Sequence, residues 1–214
     1  MKAYCISGLG ADDRAYEALE LDYEMVHLAW IPPLPKETLS SYAARLIQTY
    51  KIEPSSPQEP FVLIGVSFGG LVAVEIADLV YPQQTILISS IGTHQALPWG
   101  YKLIGKSKII PLLPTFCFQL PFGLAKWVFG TKSPLLQAIL KDSDPAFTQW
   151  AVQALLTWDK ETFSSNSLVI SGDKDLLLSS QQPDYRIKGG HHFMIVDRAE
   201  EISGIINEEK LLLG

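Results

Sequence analysis

The chain has 214 residues, of which 47% are hydrophobic and 19% charged; this fits one globular domain with a sizeable core and excludes a disordered chain. Its net charge of −6 argues against nucleic-acid binding, and no apolar run is long enough to span a membrane. The N-terminal apolar stretch is short, interrupted by glycine and followed by acids, so it is a poor secretory signal and we expect a cytoplasmic protein.

Short apolar strand patterns alternate with helical patterns along most of the chain. Strands that are apolar throughout and separated by helices predict an α/β fold, with a mostly parallel sheet of about six strands and helices on both faces. Asp197 and Glu200 form a capping-box pair at the start of the last helix. The predicted strands cover residues 3–8, 23–30, 61–67, 84–91, 166–172 and 184–190, and the main predicted helices cover 36–51, 68–81 and 197–213.

Residues 92–165 interrupt this alternation. The segment contains six prolines and five glycines between short apolar stretches, and it has no obvious strand pattern. We expect short helices that form an insertion over one edge of the sheet. The predicted organisation is therefore a core made of residues 1–91 and 166–214, with residues 92–165 inserted into it.

A serine stands where the third predicted strand turns into the following helix. Ser67 lies in the sequence GVSFG, and the glycines on either side, Gly65 and Gly69, relieve the crowding of a tight turn. Such a turn exposes the serine hydroxyl at the carboxyl end of the sheet, where ligands bind in α/β folds. The next backbone N–H, that of Phe68, points at the same place. This pattern is typical of a nucleophile elbow, and it predicts that Ser67 is a nucleophile.

A serine nucleophile needs a base, and the chain offers four histidines. His27 lies within a strand pattern and is better interpreted as a packed histidine. His94 follows the fourth predicted strand and is a candidate for lining a substrate pocket. His191 and His192 follow the last predicted strand, on the same side of the sheet as Ser67, and either can be the base.

Two aspartates follow the fifth predicted strand on that same side. Asp173 and Asp175 are both placed to orient a histidine, and the remaining one is expected to stabilise its own turn. The two aspartates and the two adjacent histidines could instead bind a metal ion. That alternative would leave the elbow serine without a role.

With these motifs the chain resembles the alpha/beta-hydrolases over nearly its whole length. The resemblance implies that Asp175 is the acid, because GDKD matches the family pattern Gly-x-x-Asp. It implies that His192 is the base, because HFMIVDRAEE matches the segment that follows the family histidine. It also implies that the backbone N–H groups of Leu9, in SGLGAD, and Phe68 form the oxyanion hole, and that residues 92–165 are a helical cap.

Three features depart from the family pattern. Ser7 replaces the histidine that usually precedes the glycine of the oxyanion loop. The first two strands of the full family sheet are missing. The helix that usually lies between the acid and the base is expected to be reduced to a turn.

The resemblance implies a serine hydrolase that cleaves an ester or thioester of a small acyl substrate through an acyl-enzyme, without a cofactor or metal. Two alternatives remain open at this stage. The same three residues can carry out a lyase reaction or a carbon–carbon bond hydrolysis, and the protein can be a non-enzymatic module that binds a ligand. The sequence does not specify the oligomeric state.

The predicted cap is cationic and aromatic. It has no acidic residue from position 79 to position 141, and aromatic side chains such as Trp99 are interspersed with its lysines. The simplest interpretation is an aromatic core with solvated lysines. The alternatives are a site for an anionic substrate, with Trp99 in the pocket and a preference for medium-chain acyl esters bearing a negative group, or contact with a membrane surface. The lysines are Lys102, Lys106, Lys108, Lys126, Lys132 and Lys141.

Overall fold

The computed structural model describes residues 1–107 and 109–213, and Lys108 of the predicted cap lies outside the described residues. Six strands form one sheet in the order β2-β1-β3-β4-β5-β6, and every neighbouring pair is parallel. The predicted number and direction of the strands are therefore confirmed. The strands are β1 (Lys2–Ile6), β2 (Glu24–His27), β3 (Phe61–Val66), β4 (Gln84–Ile88), β5 (Ser167–Gly172) and β6 (Tyr185–Ile187).

The two faces of the sheet are covered by separate apolar clusters. Along β3, Leu63 belongs to one cluster, and its neighbours Val62 and Ile64 belong to the other. This alternation follows from the two-residue period of a strand. All six β3 side chains are buried, which explains why the strand is apolar throughout. The prediction of helices on both faces is confirmed.

The described residues form eight α-helices. Helix α1 begins after Thr38, whose hydroxyl accepts a hydrogen bond from the Ser41 N–H. None of the described helices is long and apolar enough to cross a membrane. The helices are α1 (Leu39–Tyr50), α2 (Phe68–Val80), α3 (Trp99–Ser107), α4 (Phe122–Phe129), α5 (Pro134–Asp142), α6 (Pro145–Leu156), α7 (Met194–Asp197) and α8 (Ala199–Leu212).

The segment between β4 and β5 contains helices α3 to α6 and, in its described residues, no strand. Two 3₁₀ turns, Ile110–Leu112 and Thr115–Phe118, connect α3 to α4. Helix α6 packs against α3, against both turns and against α2. The segment is attached to the rest of the chain through α6 and also through α4 and α5, where Ala125, Leu136 and Ile139 pack with Phe193. Its boundaries as a separate domain stay a prediction.

The start of the last helix differs from the prediction. Helix α8 begins at Ala199, and the short helix α7 stands where the capping residue was expected. The Asp197 carboxylate does not cap α8, because it accepts a hydrogen bond from the Thr131 hydroxyl at 3.0 Å. That partner is 66 residues away along the chain, so the local capping pattern could not reveal it.

Candidate active site

Ser67 occupies a strained turn between β3 and α2. Its backbone has φ 53° and ψ −124°, in the left-handed half of conformational space that a non-glycine residue rarely adopts. The neighbouring glycines are required by close approach. A Cβ on Gly69 would lie 2.2 Å from the carbonyl oxygens of Ile6 and Ser7, and a Cβ on Gly65 would lie 2.5 Å from the Cα of Gly70. The turn therefore tolerates no side chain at these two positions.

Two neighbouring strand ends support the turn. The Ser90 hydroxyl, after β4, donates a hydrogen bond to the Ser67 carbonyl oxygen at 2.7 Å. Gly8, after β1, packs against Ser67, since a Cβ on Gly8 would lie 3.4 Å from the Ser67 Cβ. The loops at the carboxyl ends of three adjacent strands thus meet at this serine.

Ser67, His192 and Asp175 form one hydrogen-bonded chain. The Nε2 of His192 lies 2.8 Å from the Ser67 Oγ, and its Nδ1 lies 2.9 Å from both carboxylate oxygens of Asp175. The His192 and Asp175 side chains are buried. An ionised carboxylate can only accept hydrogen bonds, so the His192 Nδ1–H donates to Asp175 and Nε2 is left to accept the serine O–H.

The surroundings of Asp175 favour its ionised form. Burial by itself raises the pKa of this carboxyl group, but hydrogen bonds from His192 and from the backbone N–H groups of Leu177 and Leu178 outweigh burial, and its pKa lies below the ordinary value of 3.8. A carboxylate held in this way stays charged at neutral pH, and the hydrogen bond that fixes the His192 ring persists.

Asp173 and His191, the other candidates for the acid and the base, have different contacts. The Asp173 carboxylate accepts a hydrogen bond from the Gly189 N–H at 2.7 Å, which ties together the loops after β5 and β6. The His191 ring packs against Gly130 at the end of α4, where an added Cβ would lie 2.2 Å from the ring. Both residues connect loops, and neither is hydrogen-bonded to Ser67.

Two backbone N–H groups accompany the serine. Phe68 is the first residue of α2, so its N–H has no partner within the helix. Leu9 lies in the loop after β1, and both residues line the same cavity as Ser67. Among the described residues, no acceptor is hydrogen-bonded to either N–H. Both groups are therefore available to a ligand.

The loop that carries Leu9 is anchored by a tryptophan. The Trp30 indole N–H donates to the carbonyl oxygens of Ala11, at 3.0 Å, and of Gly8, at 3.3 Å. Its ring also packs against Phe68 with 5.7 Å between ring centroids. One side chain therefore fixes the loop after β1 against the start of α2. This arrangement holds the loop even though Ser7 stands where the resemblance to alpha/beta-hydrolases predicts a histidine.

An apolar cavity of about 360 Å³ opens next to Ser67. Its volume lies at the small end of the range for ligand sites. Its polar side chains are those of Ser67, His192 and Tyr101, and burial raises the pKa of the Tyr101 hydroxyl. About half of the remaining lining comes from the segment between β4 and β5: Ile104, Ile110, Phe129, Leu136, Ile139, Leu140, Val152, Leu155 and Leu156. The other half comes from the loops and strand ends around Ser67.

The two residues predicted to line the pocket do not line this cavity. His94 is turned toward the loop before β5, where its Nδ1 lies 2.9 Å from the Lys160 carbonyl oxygen. Trp99 is 79% exposed on the outer face of α3. The cavity is also lined by no described lysine, so the expected recognition of an anionic substrate inside the pocket is not supported.

Several residues that support the turn at Ser67 or line the cavity were not predicted from the sequence. Ser90 and Trp30 follow their strands at the same sheet edge as Ser67, so the rule that loops gather there could have indicated them. Tyr101 and the aliphatic lining residues carried no such signal, because their positions depend on how the helices of the inserted segment pack.

The described residues contain no group of three or more histidine, cysteine, aspartate or glutamate side chains placed to hold a metal ion. Asp173 and His191, which a metal site would need, are turned to other contacts. A wider, open groove of about 1150 Å³ lies on another face of α6, next to Gln149 and Gln153, and Ser67 is not part of it.

The architecture matches that of solved alpha/beta-hydrolases. ClbQ from the colibactin NRPS/PKS pathway is 15% identical with a TM-score of 0.67, and the match covers 99% of this chain and 97% of ClbQ. A lipase-esterase related protein from Clostridium acetobutylicum is 17% identical with a TM-score of 0.68, covering 97% of this chain and 93% of that protein.

A third solved structure is YbtT, the type II thioesterase from the yersiniabactin NRPS/PKS biosynthetic pathway. It is 18% identical with a TM-score of 0.59, and the match covers 95% of this chain and 90% of YbtT. No protein-family model matches the chain, and no curated protein matches it by sequence. At these identities the likeness is one of fold: the chain has the alpha/beta-hydrolase fold that its motifs predicted.

Proposed function

We propose that this protein is a serine hydrolase that cleaves an ester or thioester of a small acyl compound. One observation carries the proposal: Ser67 and His192, joined by hydrogen bonds to each other and to Asp175, line an apolar cavity together with Leu9 and Phe68, whose N–H groups have no acceptor among the described residues. An alpha/beta-hydrolase fold shared with esterases and thioesterases supports it.

In the proposed first step, the Ser67 hydroxyl attacks the substrate carbonyl carbon. The His192 Nε2 takes the serine proton as the new C–O bond forms, and the Asp175 carboxylate stabilises the imidazolium that results. The carbonyl oxygen then carries negative charge. The N–H groups of Leu9 and Phe68 are proposed to donate to it, with the positive end of the α2 dipole behind them.

Collapse of this intermediate completes the acylation. The bond to the leaving alcohol or thiol breaks, and His192 returns the proton to the departing oxygen or sulfur. Water then attacks the acyl group on Ser67, again with His192 as base, and the acid is released with the serine restored. Each proton taken is returned within the cycle, so no cofactor is required for the reaction.

The apolar lining of the cavity favours a substrate whose acyl group is apolar and binds inside the cavity. Its walls are aliphatic and aromatic apart from Ser67, His192 and Tyr101, so a charge inside it would lose hydration without gaining a partner. Each buried CH₂ is worth roughly 0.8 kcal/mol, or about fourfold in kcat/KM, until the cavity is full. Activity is therefore expected to rise with acyl length and then to fall.

A panel of acyl esters and thioesters of increasing chain length tests the proposal. We expect release of free acid and alcohol or thiol, identified by mass spectrometry, with incorporation of oxygen from labelled water into the acid. Products of elimination or of carbon–carbon cleavage would favour the lyase alternative. Binding of acyl compounds without turnover, and without reaction with a fluorophosphonate probe, would favour the non-enzymatic alternative.

Val152→Phe is expected to shorten the preferred acyl chain. Val152 is half-buried on α6 and lines the cavity, whereas its neighbour Gln153 faces the open groove. The larger side chain should lower kcat/KM about 15- to 60-fold for the longest accepted chain, because two or three CH₂ groups can no longer be buried, and it should leave acetyl esters nearly unchanged. Gln153→Phe is the matched control. An equal effect of the two substitutions would mean that the cavity does not hold the acyl chain.

Asp175→Asn is expected to lower kcat by about 10⁴-fold. The amide N–H can donate to the His192 Nδ1, which puts the ring proton on Nε2, and Nε2 can then no longer accept the proton of Ser67. Asp173→Asn should keep most of the activity, since that carboxylate only accepts from the Gly189 N–H. Steady-state kinetics of the two variants provide the test. The opposite ranking would assign the orienting role to Asp173.

A further inference from the structure

The outer surface of α3 and of the two 3₁₀ turns after it is apolar and carries positive charge. We define the outer cap surface as the exposed side chains of this stretch: Trp99, Leu103, Lys106, Ile109, Leu112 and Phe116. Trp99 is 79% exposed, Leu112 80% and Phe116 69%. A row of large exposed side chains of this kind marks a contact surface rather than a random surface.

The two faces of α3 explain this exposure. Trp99, Leu103 and Lys106 are spaced at i, i+4 and i+7, so they share one face of the helix. The opposite face is already used, since Tyr101 and Ile104 line the cavity and Gly105 packs against the backbone of Leu156 on α6. The helix is therefore apolar on both faces. Its inner face is only partly covered, since Tyr101 is half-buried and Ile104 is 44% exposed, and its outer face has no partner among the described residues.

The 3₁₀ turns hold their apolar side chains outward in the same way. The Gln149 side-chain amide on α6 donates to the carbonyl oxygens of Ile110, at 3.1 Å, and Leu113, at 2.8 Å. Ile110 is buried beneath the turn, whereas Leu112 is exposed. Since the backbone is fixed from below, Leu112 cannot turn inward without loss of these hydrogen bonds.

The charge distribution favours an anionic partner. Residues 79–141 contain six lysines and no acid, while the rest of the chain has 11 basic and 23 acidic residues and thus a net charge of −12. The excess of positive charge therefore lies in the stretch of chain, residues 79–141, that also carries the exposed apolar side chains. A second copy of the chain fits poorly, because a symmetric contact would place the same lysines opposite one another.

We propose that the outer cap surface binds the surface of an anionic lipid membrane. Exposed Trp, Leu, Ile and Phe side chains beside lysines are the composition of segments that lie in the membrane interface, with apolar tips below the headgroups and ammonium groups among the phosphates. Helix α3 would then contact lipid through one face and form the cavity wall with the other. The proposal does not depend on the role of Ser67.

Sedimentation with lipid vesicles tests the proposal, and Ser67→Ala protein is used so that lipid hydrolysis cannot affect binding. We expect binding to phosphatidylcholine vesicles that contain roughly 30 mol % phosphatidylserine, weaker binding to phosphatidylcholine alone, and a loss of the difference at 1 M salt, where the Debye length falls to about 3 Å. Leu112→Ser in the Ser67→Ala background should lower the partition coefficient about tenfold.

Two matched controls are available. Leu211, at the end of α8, is also 80% exposed but lies near Glu208 and Glu209, and Leu211→Ser should leave binding unchanged. Lys106→Gln should weaken binding to the anionic vesicles about fivefold, whereas Lys51→Gln, at the residue that follows α1, should not.

Three results would overturn the proposal. The first is an absence of vesicle binding, and the second is an equal loss in the Leu112→Ser and Leu211→Ser proteins. The third is a dimer in solution that Leu112→Ser dissociates, which would make the outer cap surface an interface between copies of the chain. Far-ultraviolet circular dichroism and thermal melting of each variant establish that the fold is retained.

Discussion

Ser67→Ala is expected to lower ester turnover by a factor on the order of 10⁴ to 10⁶ and to abolish labelling by a fluorophosphonate. The Ser67 Oγ is the only group at the elbow that can form the acyl-enzyme, and it already lies 2.8 Å from the His192 Nε2. Loss of the hydroxyl leaves His192, the two N–H groups and the cavity in place. The residual rate then reports what binding and charge stabilisation contribute without covalent catalysis.

The substitution also has a structural consequence that separates its effect from misfolding. Alanine at position 67 must keep the positive φ of the serine, and the Ser90 hydroxyl can still donate to the carbonyl oxygen there. We therefore expect nearly unchanged stability, measured as the melting temperature. Ser90→Ala serves as the control, since it removes the support but not the nucleophile. Labelling of a different serine in the Ser67→Ala protein would show that the nucleophile lies elsewhere.

The sheet and the elbow could be predicted because local rules determine both. A strand buried on both faces must be apolar throughout, as β3 is. A strand that turns directly into a buried helix leaves no room for a side chain at Gly65 or Gly69, two residues on either side of Ser67. The carboxyl ends of parallel strands meet at one edge of the sheet. Loops that are distant in sequence, such as those of Asp175 and His192, therefore come together there.

The pocket could not be predicted because the local rules that hold for the sheet do not determine how the short helices of the inserted segment pack. Trp99 was a candidate for the pocket because aromatic side chains are interspersed with the lysines of the predicted cap. It is 79% exposed, and the α3 residues that line the cavity are Tyr101 and Ile104. His94 lies close to the functional edge in sequence, yet a carbonyl oxygen 66 residues later determines where its ring points. Side-chain direction on such short helices depends on tertiary contacts that periodicity does not report.

His192→Ala is expected to resemble Ser67→Ala, with a loss of turnover on the order of 10⁶-fold, while His191→Ala keeps most of the activity. The two neighbouring imidazoles have different surroundings. His192 bridges Asp175 and Ser67, whereas His191 packs against the backbone of Gly130. Deletion of the His191 ring therefore leaves a gap beside α4 and should lower the melting temperature by a few degrees with little change in kcat.

The two substitutions can be told apart because they are expected to change different quantities: kcat and labelling rate in one protein, and melting temperature in the other. His192→Ala removes the proton acceptor, so kcat falls and fluorophosphonate labelling of Ser67 becomes slow. Substrate should still bind with a similar Kd, because the apolar walls of the cavity remain. His191→Ala should shift stability but neither labelling nor the dependence of kcat/KM on acyl length. Measurement of labelling rate, kcat and melting temperature on both proteins decides the assignment. A slow-labelling His191→Ala protein beside a fast-labelling His192→Ala protein would move the base by one residue and contradict the hydrogen-bonded chain on which the proposed mechanism rests.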